Sequence, residues 1–241
     1  MERQRRTHAE ARAQMRAGIL RLGRVQLATA GAAGLSVREI ARGLGVASSA
    51  IYRHVANRDA LLTLLVVDAY TELADAVDVR LAGEASGPGS SRLAALARAM
   101  REWAVAQPEA WALLYGSPVP GYAAPAEETT PAGTRVMFRL LAELASGDPA
   151  VRRSPRQPVS DALAAALAAG VAEHGGDASA VLAAEAREAP GFAADALEAW
   201  SALVGLVSAE VFAQHGDELA RHGRELLERW IASTAQRFGL R

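Results

Sequence analysis

The stretch LSVREIARGLGVASSAIYRHVANRDALL, residues 35–62, predicts two short helices joined by a tight turn. Ser36 and Glu39 form a capping box, in which the serine hydroxyl accepts from the Glu39 amide and the glutamate reaches back, so a helix begins here. Gly45 indicates the turn, because glycine adopts left-handed backbone conformations easily. The apolar side chains of both helices are expected to share one interior: Val37, Ile40, Ala41, Leu44, Val46, Ile51 and Val55.

The two helices, over about residues 37–43 and 48–54, have the arrangement of a helix-turn-helix. In that motif the second helix enters the major groove of DNA, where serine and arginine bond to base edges and alanine contacts a thymine methyl. Asn57 caps a long helix from Arg58 to about Leu81, whose first amides attract a phosphate. We expect base contacts from Ala47, Ser48, Ser49, Ala50 and Arg53, and phosphate contacts from Tyr52, His54 and Arg58.

The charge distribution favours two parts with different partners. Residues 1–60 hold 11 arginines and 4 acidic residues, a balance of +7, whereas residues 61–241 have a balance of −8. A basic segment favours binding to a polyanion, although an ordinary solvated surface would give the same asymmetry. We therefore predict a DNA-binding head over residues 1–60 and a body over residues 61–241.

Composition and motifs exclude several classes of protein. The chain has no cysteine, so a disulfide framework is excluded. The polar, arginine-rich start does not resemble a signal peptide, and apolar runs such as residues 162–172 are too short to cross a membrane, so we expect a cytoplasmic protein without a membrane partner. Motifs of nucleophile elbows, P-loops, dinucleotide-binding loops and zinc proteases are missing, which predicts no enzyme and no cofactor. His215 and His222 are too few for a metal site.

The apolar spacing predicts an all-α chain. A first helix is expected over residues 9–30, with Ile19, Leu22, Val25 and Leu27 on its apolar side. Proline-rich breaks are expected at residues 116–131 and 148–158, and a Gly/Ser/Pro linker at 83–91. The remaining helices are predicted over residues 93–107, 108–115, 132–145, 160–174, 193–214 and 217–237.

Residues 35–62 resemble, without a gap, the DNA-binding segment of the TetR family of bacterial transcriptional repressors, and a strong resemblance covers about residues 15–65. The shared features are Ile40-Ala41, Leu-Gly-Val, Tyr-x-His, and Asn followed by a basic residue and Leu-Leu. The resemblance implies that Arg38 reaches a base and that Ser36, Tyr52, His54 and Arg58 hold phosphates. Arg5 and Arg6 would form either an arm along DNA or a disordered tail.

Two positions in the head depart from the family pattern. Ala47 stands where many members place a serine or threonine that caps the second helix of the motif, which we call the reading helix. This helix is therefore expected to begin less firmly. Arg58 replaces the usual lysine and keeps the charge.

The body is similar to the family at WALLYGSPVPGYAAP, residues 111–125, a segment common in actinobacterial members whose body binds a small effector. An effector cavity and ordinary core packing use the same kinds of side chain, so both interpretations stay open, and the proline-rich loop is either a lid or a surface loop. The candidate cavity residues are Trp103, Trp111, Tyr115, Met137 and Leu141.

The resemblance also implies that the last two helices pair with those of a second subunit in a four-helix bundle. Small residues at positions 202, 205, 208 and 209 lie beside the apolar stripe of the first of these helices, and Leu219 and Phe238 extend that of the second. The candidate dimer residues are Leu197, Trp200, Val204, Val207, Val211, Leu226 and Trp230.

The predicted protein is an all-α, homodimeric, ligand-responsive regulator: a three-helix helix-turn-helix head joined to a larger ligand-binding and dimerisation domain. The resemblance implies a repressor that leaves a palindromic double-stranded operator when an unidentified small molecule binds, although an activator would have the same sequence features. The alternatives are a small-molecule binding protein whose head no longer binds DNA, and an enzyme, against which the missing motifs argue.

Overall fold

The computed structural model describes residues 8–154, 156–174 and 179–241, and every regular element in these ranges is helical. The all-α prediction is therefore confirmed. Arg5 and Arg6, the candidate arm, lie outside the described residues. The chain divides into two compact units, of which the first comprises Met1–Ala69 with Glu109–Thr129 and the second Tyr70–Pro108 with Thr130–Arg241. The predicted functional boundary between residues 60 and 61 thus differs from the compact units mainly by residues 109–129, which join the head.

The head contains α1 (His8–Ala30), α2 (Val37–Leu44), α3 (Ser48–Tyr52) and the first part of α4 (Arg58–Gly83). A short 3₁₀ turn connects α1 to α2. All seven side chains predicted for the interior join one apolar cluster, with Leu44 and Val46 partly buried at its edge. The buried members of the cluster are Ile19, Leu27, Leu35, Val37, Ile40, Ala41, Ile51, Val55, Leu61, Leu62 and Leu65.

Two details of the head differ from the predictions. The reading helix α3 ends at Tyr52 rather than at His54, because His54 donates its amide to the Ile51 carbonyl in a tight turn. On α1 the side chain of Val25 is 52% exposed. The buried side of α1 instead repeats every four residues, and it consists of Ile19, Gly23 and Leu27.

The head also includes α6 (Pro108–Tyr115) and the loop that follows it. The prediction of a loop up to residue 131 was wrong, because α7 (Ala126–Gly133) begins within it. Two glutamates stand in the first turn of α7, where the helix dipole favours negative charge, and the Thr129 hydroxyl donates to the Pro125 carbonyl at 2.9 Å. Acidic residues and a side-chain bond therefore support a helix in spite of the prolines.

The larger unit is built around four helices, α5, α8, α12 and α14, which pack against one another, while α10 packs on α11 and both contact α12. Ion pairs join these helices, among them Arg92, which donates to Glu143 at 2.5 Å, and Arg101, which donates to Glu210 at 2.5 Å. The helices of this unit beyond α4 and α7 are α5 (Gly89–Ala106), α8 (Arg135–Ala145), α9 (Pro149–Arg152), α10 (Asp161–His174), α11 (Ser179–Glu188), α12 (Pro190–Val211), α13 (Asp217–Ala220) and α14 (Gly223–Phe238).

Three helices of the larger unit were missed or merged in the sequence analysis. α11 was missed because SAVLAAEARE has few large apolar side chains to make a stripe. The short α9 lies inside the predicted break at 148–158, where Asp148 caps it by accepting from the Ala150 amide. The single helix predicted over 217–237 is two helices, α13 and α14.

α12 corrects the expectation that no apolar run is long enough to cross a membrane. By length and composition alone this helix passes that test, and 39% of its most apolar window is buried. The core helices of soluble proteins pass the same test, and α12 contacts α5, α8 and α14. This packing accounts for part of its apolar composition.

Candidate nucleic-acid interface

The reading helix α3 is anchored by one residue and exposes those around it. Ile51 is completely buried in the head cluster, whereas Tyr52 is 43% exposed. Ala50 is half-buried, so its methyl group lies at the margin of the exposed face. Because α3 has only five residues, Ile51 determines how the helix is rotated. The exposed candidate contacts are Arg38 on α2 and Ala47, Ser48, Ser49, Tyr52, Arg53 and His54 on and beside α3.

Gly45 sets the angle between α2 and α3. Its φ of 65° is in the left-handed region, and its amide donates to the carbonyls of Ala41 and Arg42. The next amide, that of Val46, donates to the Ala41 carbonyl at 3.1 Å. This is the hydrogen-bonded helix end that glycine favours. It ends α2 as predicted and turns the chain into α3.

The start of α2 confirms half of the predicted capping box. The Ser36 hydroxyl accepts from the Glu39 amide at 3.3 Å. The Glu39 side chain does not reach back as expected; it lies 3.7 Å from Arg42, an ion pair along the helix. Gln26 of α1 takes that place, since its Oε1 accepts from the Ser36 amide at 2.8 Å and its Nε2 donates to the Ser36 carbonyl at 3.3 Å. Sequence reasoning missed Gln26, whose only signal was an amide beside the buried Leu27.

The amino end of α4 is capped as predicted. The Asn57 side chain accepts from the Ala60 amide at 2.8 Å. Arg58 is 34% exposed at its side chain and is partly engaged within the head, because one guanidinium nitrogen donates to the Ala32 carbonyl at 2.9 Å. A guanidinium has five N–H donors, so this bond orients Arg58 and leaves other donors for a phosphate.

The candidate cavity residues fall in both compact units. In the larger unit, Met137 and Leu141 pack on the cluster of Phe138, and Trp103 is 6% exposed. The indole Nε1 of Trp103 is buried and has no acceptor among the described residues. The head unit contains Trp111, which is completely buried, and Tyr115, whose ring centroid lies 4.4 Å from that of Trp111.

The candidate dimer residues are not all accessible. Val207 is 1% exposed and Phe238 is completely buried, so both belong to the core of the larger unit, and the interpretation of Val207 as a dimer contact was wrong. Leu197 and Leu226 are 40% and 38% exposed. Trp200, Val204, Val211 and Trp230 are half-buried.

An apolar groove of about 390 Å³ between α12 and α14 marks the accessible face of these helices. Gly205 lies in it, and a Cβ added there would meet no atom within 4 Å. Of the candidate dimer residues only Leu226 lines this groove, and the candidates on α12 do not. The small and apolar residues that line it are Ala202, Gly205, Leu206, Ala209, Leu219, Ala220, Gly223 and Leu226.

Among the residues that the structure describes, no group of three or more histidine, cysteine, aspartate or glutamate side chains is placed to hold a metal ion. His222 instead lies 3.8 Å from Glu225 on the same helix end.

In the head, a short polar helix follows a glycine turn and packs on a buried apolar cluster with its polar face exposed. This arrangement defines a helix-turn-helix DNA-binding domain. Comparison with known families agrees. Residues 19–65 match the family described as bacterial regulatory proteins, tetR family, and residues 93–234 match the tetracyclin repressor-like C-terminal domain. The chain belongs to the TetR family of transcriptional regulators, as the resemblance implied, and it is a DNA-binding regulator.

Individual relatives extend the similarity over most of the chain. The chain is 42% identical over 221 residues to the HTH-type transcriptional regulators Rv1816 of Mycobacterium tuberculosis and Mb1846 of Mycobacterium bovis, covering 87% of this chain and 86% of each relative. The crystal structure of the regulatory protein SCO4313 is similar, with 29% identity, a TM-score of 0.68 and coverage of 95% of this chain and 98% of that one. A protein from Rhodococcus sp. RHA1 shares the fold at 23% identity and a TM-score of 0.61, covering 91% and 94%.

Proposed function

We propose that this regulator is a homodimeric, cytoplasmic repressor that binds a palindromic operator through α3 and leaves it when a small molecule binds the larger unit. Repression and ligand response are typical of its family. The observation that carries the proposal is the exposed polar face around the buried Ile51, in a segment of net positive charge. We assign it no catalytic activity.

The contacts divide by chemistry. Ser48, Ser49 and Arg53 are exposed on and beside α3 and are suited to base edges in the major groove. Tyr52 and His54 flank this face and are suited to phosphates. Phosphate contacts supply affinity for any sequence, whereas base contacts supply preference for the operator.

A second copy of the chain completes the reading unit. Two recognition helices must be spaced by about 34–36 Å to reach successive major grooves, which a dimer provides. We assign the dimer contact to the groove between α12 and α14. Leu219 and Leu226 line it and are 52% and 38% exposed, and they would be covered by the same groove of the partner in a two-fold arrangement.

The effector is proposed to be an apolar molecule that carries a hydrogen-bond acceptor. Buried donors almost always have a partner, and the indole N–H of Trp103 has none among the described residues. An acceptor on the effector would satisfy it. Regulation then requires the effector to bind the DNA-incompetent state more tightly than the competent one.

A fluorescence anisotropy titration tests the proposal. The full chain is titrated onto a labelled duplex from the intergenic region beside its own gene, with random-sequence duplex as competitor, at several salt concentrations. We expect dimeric, specific binding whose log affinity falls with log salt by roughly 0.9 for each phosphate contact. Equal or absent binding to both duplexes would instead support the alternative, a small-molecule binding protein with a degenerate head.

A further inference from the structure

The proline-rich loop contains a defined turn at Val-Pro-Gly-Tyr, residues 119–122. The Tyr122 amide donates to the Val119 carbonyl at 3.1 Å, and Gly121 has a φ of 76°. Proline second and a glycine of positive φ third are the signature of a type II β-turn. Within residues 116–124, only Val119 and Tyr122 are half-buried and the others are exposed. The turn therefore presents two anchors, and we call residues 119–122 the clip.

The clip packs on the head. Val119 and Tyr122, together with Leu113 of α6, contact the apolar cluster that closes the helix-turn-helix. These residues belong to the same compact unit as α1–α3. The loop is thus part of the head rather than a free surface loop. The core that supports α3 therefore includes residues that follow α4 and α5 in the sequence.

One chain of hydrogen bonds leads from the clip to the start of α4. The Thr63 hydroxyl is buried and lies 3.0 Å from the Tyr122 hydroxyl and 3.0 Å from the Asp59 carbonyl. A hydroxyl has one hydrogen. The carbonyl can only accept, so the Thr63 hydroxyl uses its hydrogen to donate to it. The Tyr122 hydroxyl must therefore donate to the Thr63 oxygen.

This series of hydrogen bonds ends beside groups that are proposed to contact DNA. Asp59 is in the first turn of α4, next to Arg58, whose guanidinium donates to the Ala32 carbonyl. Asn57 caps the same turn. Tyr122 is therefore connected, through two hydrogen bonds, to the helix end whose free amides are suited to a phosphate.

We propose that Tyr122 is a positioning residue for DNA binding and that the clip holds the core and the start of α4 in the arrangement that binds the operator. This rests on the proposed function. In sequence the clip lies between Tyr70–Pro108 and Thr130–Arg241, which form the larger unit, so the chain connects it at both ends to the proposed effector-binding part. Withdrawal of the clip lowers the fraction of competent heads, and the apparent Kd rises as the inverse of that fraction.

Variants of the full chain test the proposal with two measurements. The first is the Kd for the operator duplex, and the second is hydrogen exchange of the amides of α2, α3 and the first turn of α4, which needs no DNA. Tyr122→Ala removes ring and hydroxyl, and we expect roughly tenfold weaker operator binding, about the effect of one lost anchor, with faster exchange in these segments. Val105→Ala, at a half-exposed position on α5, is the control and should change neither.

A smaller substitution isolates the hydroxyl. Tyr122→Phe keeps the ring, and Thr63→Val removes the other partner at nearly the same size. We expect each to weaken operator binding by roughly threefold, with the double variant no weaker than the stronger single one, since both remove the same bond. Additive losses would show that the two hydroxyls act separately and would overturn the assignment of the bond.

The two measurements separate the possible failures. Faster exchange together with weaker operator binding supports the proposal. Unchanged exchange in Tyr122→Ala overturns it, and faster exchange with unchanged operator binding also overturns it, because the clip would then only stabilise the fold. If the unmodified chain binds no operator, the proposed function fails, whereas the exchange result still decides whether the clip holds the head.

Discussion

The guanidinium of Arg24 in α1 is paired with the carboxylate of Asp68 in α4, with Nε 3.1 Å from Oδ2. A second guanidinium nitrogen contacts the same oxygen. The side chains are 39% and 24% exposed, so water screens the pair only in part. Both residues belong to the unit that carries the helix-turn-helix, and the pair fixes the first helix of the head against α4.

Arg24→Gln should lower the free energy of unfolding by about 0.5–1 kcal/mol, because it removes a charge-assisted bond at a half-exposed site. Urea unfolding measures this. Asp68→Asn should cost a similar amount, and the double variant should cost less than the two together. Full additivity would mean that the pair contributes nothing beyond its separate side chains.

Arg53 and Arg58 should differ in the kind of DNA binding that they support. Arg53→Ala should lower operator affinity by about 1–3 kcal/mol with little effect on random DNA, because it removes a base contact. Arg58→Ala should weaken both, since it removes a phosphate ligand and the bond to the Ala32 carbonyl that orients the start of α4. Anisotropy titrations on both duplexes decide between the two outcomes. Equal losses for Arg53→Ala would count against base reading there.

Two further substitutions extend the same comparison. Ser49→Ala should change operator preference, as expected of a residue on the exposed side of α3. Tyr52→Phe should weaken binding to every sequence, because its exposed hydroxyl is suited to a phosphate. A change of preference in Tyr52→Phe would move this residue to the base-reading group.

Ala47→Ser should stabilise the reading helix. Ala47 has the extended backbone of an N-cap, with φ −62° and ψ 142°, but no side-chain cap. A serine there can accept from the first amides of α3 and should add about 1 kcal/mol to stability. Thermal unfolding measures the gain. Ser36→Ala, which deletes the corresponding cap of α2, is the opposite control and should cost about as much. A loss of stability in Ala47→Ser would show that a serine side chain at this position cannot accept from these amides.

Gly205→Leu should convert the dimer to monomers. A Cβ at this position meets no atom within 4 Å, and replacing a helical glycine favours the helix by up to about 1 kcal/mol, so the subunit itself should stay folded. Gly170→Leu on α10 is the matched control, because this glycine also has open space around it. Sedimentation velocity should show monomers for Gly205→Leu only. Dimers in both variants would place the interface elsewhere.

Acid should weaken the larger unit through Asp78. Burial raises the pKa of Asp78, but hydrogen bonds from Arg135 and Arg139 outweigh it, and the pKa lies below its ordinary value of 3.8. A carboxylate with a lowered pKa in the folded state contributes stability above its ordinary pKa, and this is lost as pH falls through the lowered value. Asp78→Asn should cost about 1 kcal/mol at neutral pH. Urea unfolding should show a smaller penalty below about pH 4, and an equal penalty at all pH values would contradict this prediction.

The head was predictable because its signals are local. Ser36, Gly45 and Asn57 each act within four residues of their own position, and they end or begin helices where expected. The shared interior followed from the spacing of apolar residues. Prediction failed for α7 and for α11, because prolines in one segment and the absence of an apolar stripe in the other concealed these helices.

The sequence by itself determined the class of protein, the positions of the caps and turn, and which residues of α3 surround its buried anchor. Only the tertiary structure decided that Gln26 takes the place of Glu39, that Val207 is core, and that Tyr122 reaches Thr63. The physical reason is range. A cap or a glycine turn is an interaction between neighbours in the chain, whereas these contacts join residues that become neighbours only when helices pack, and the free energy of packing depends on the whole core.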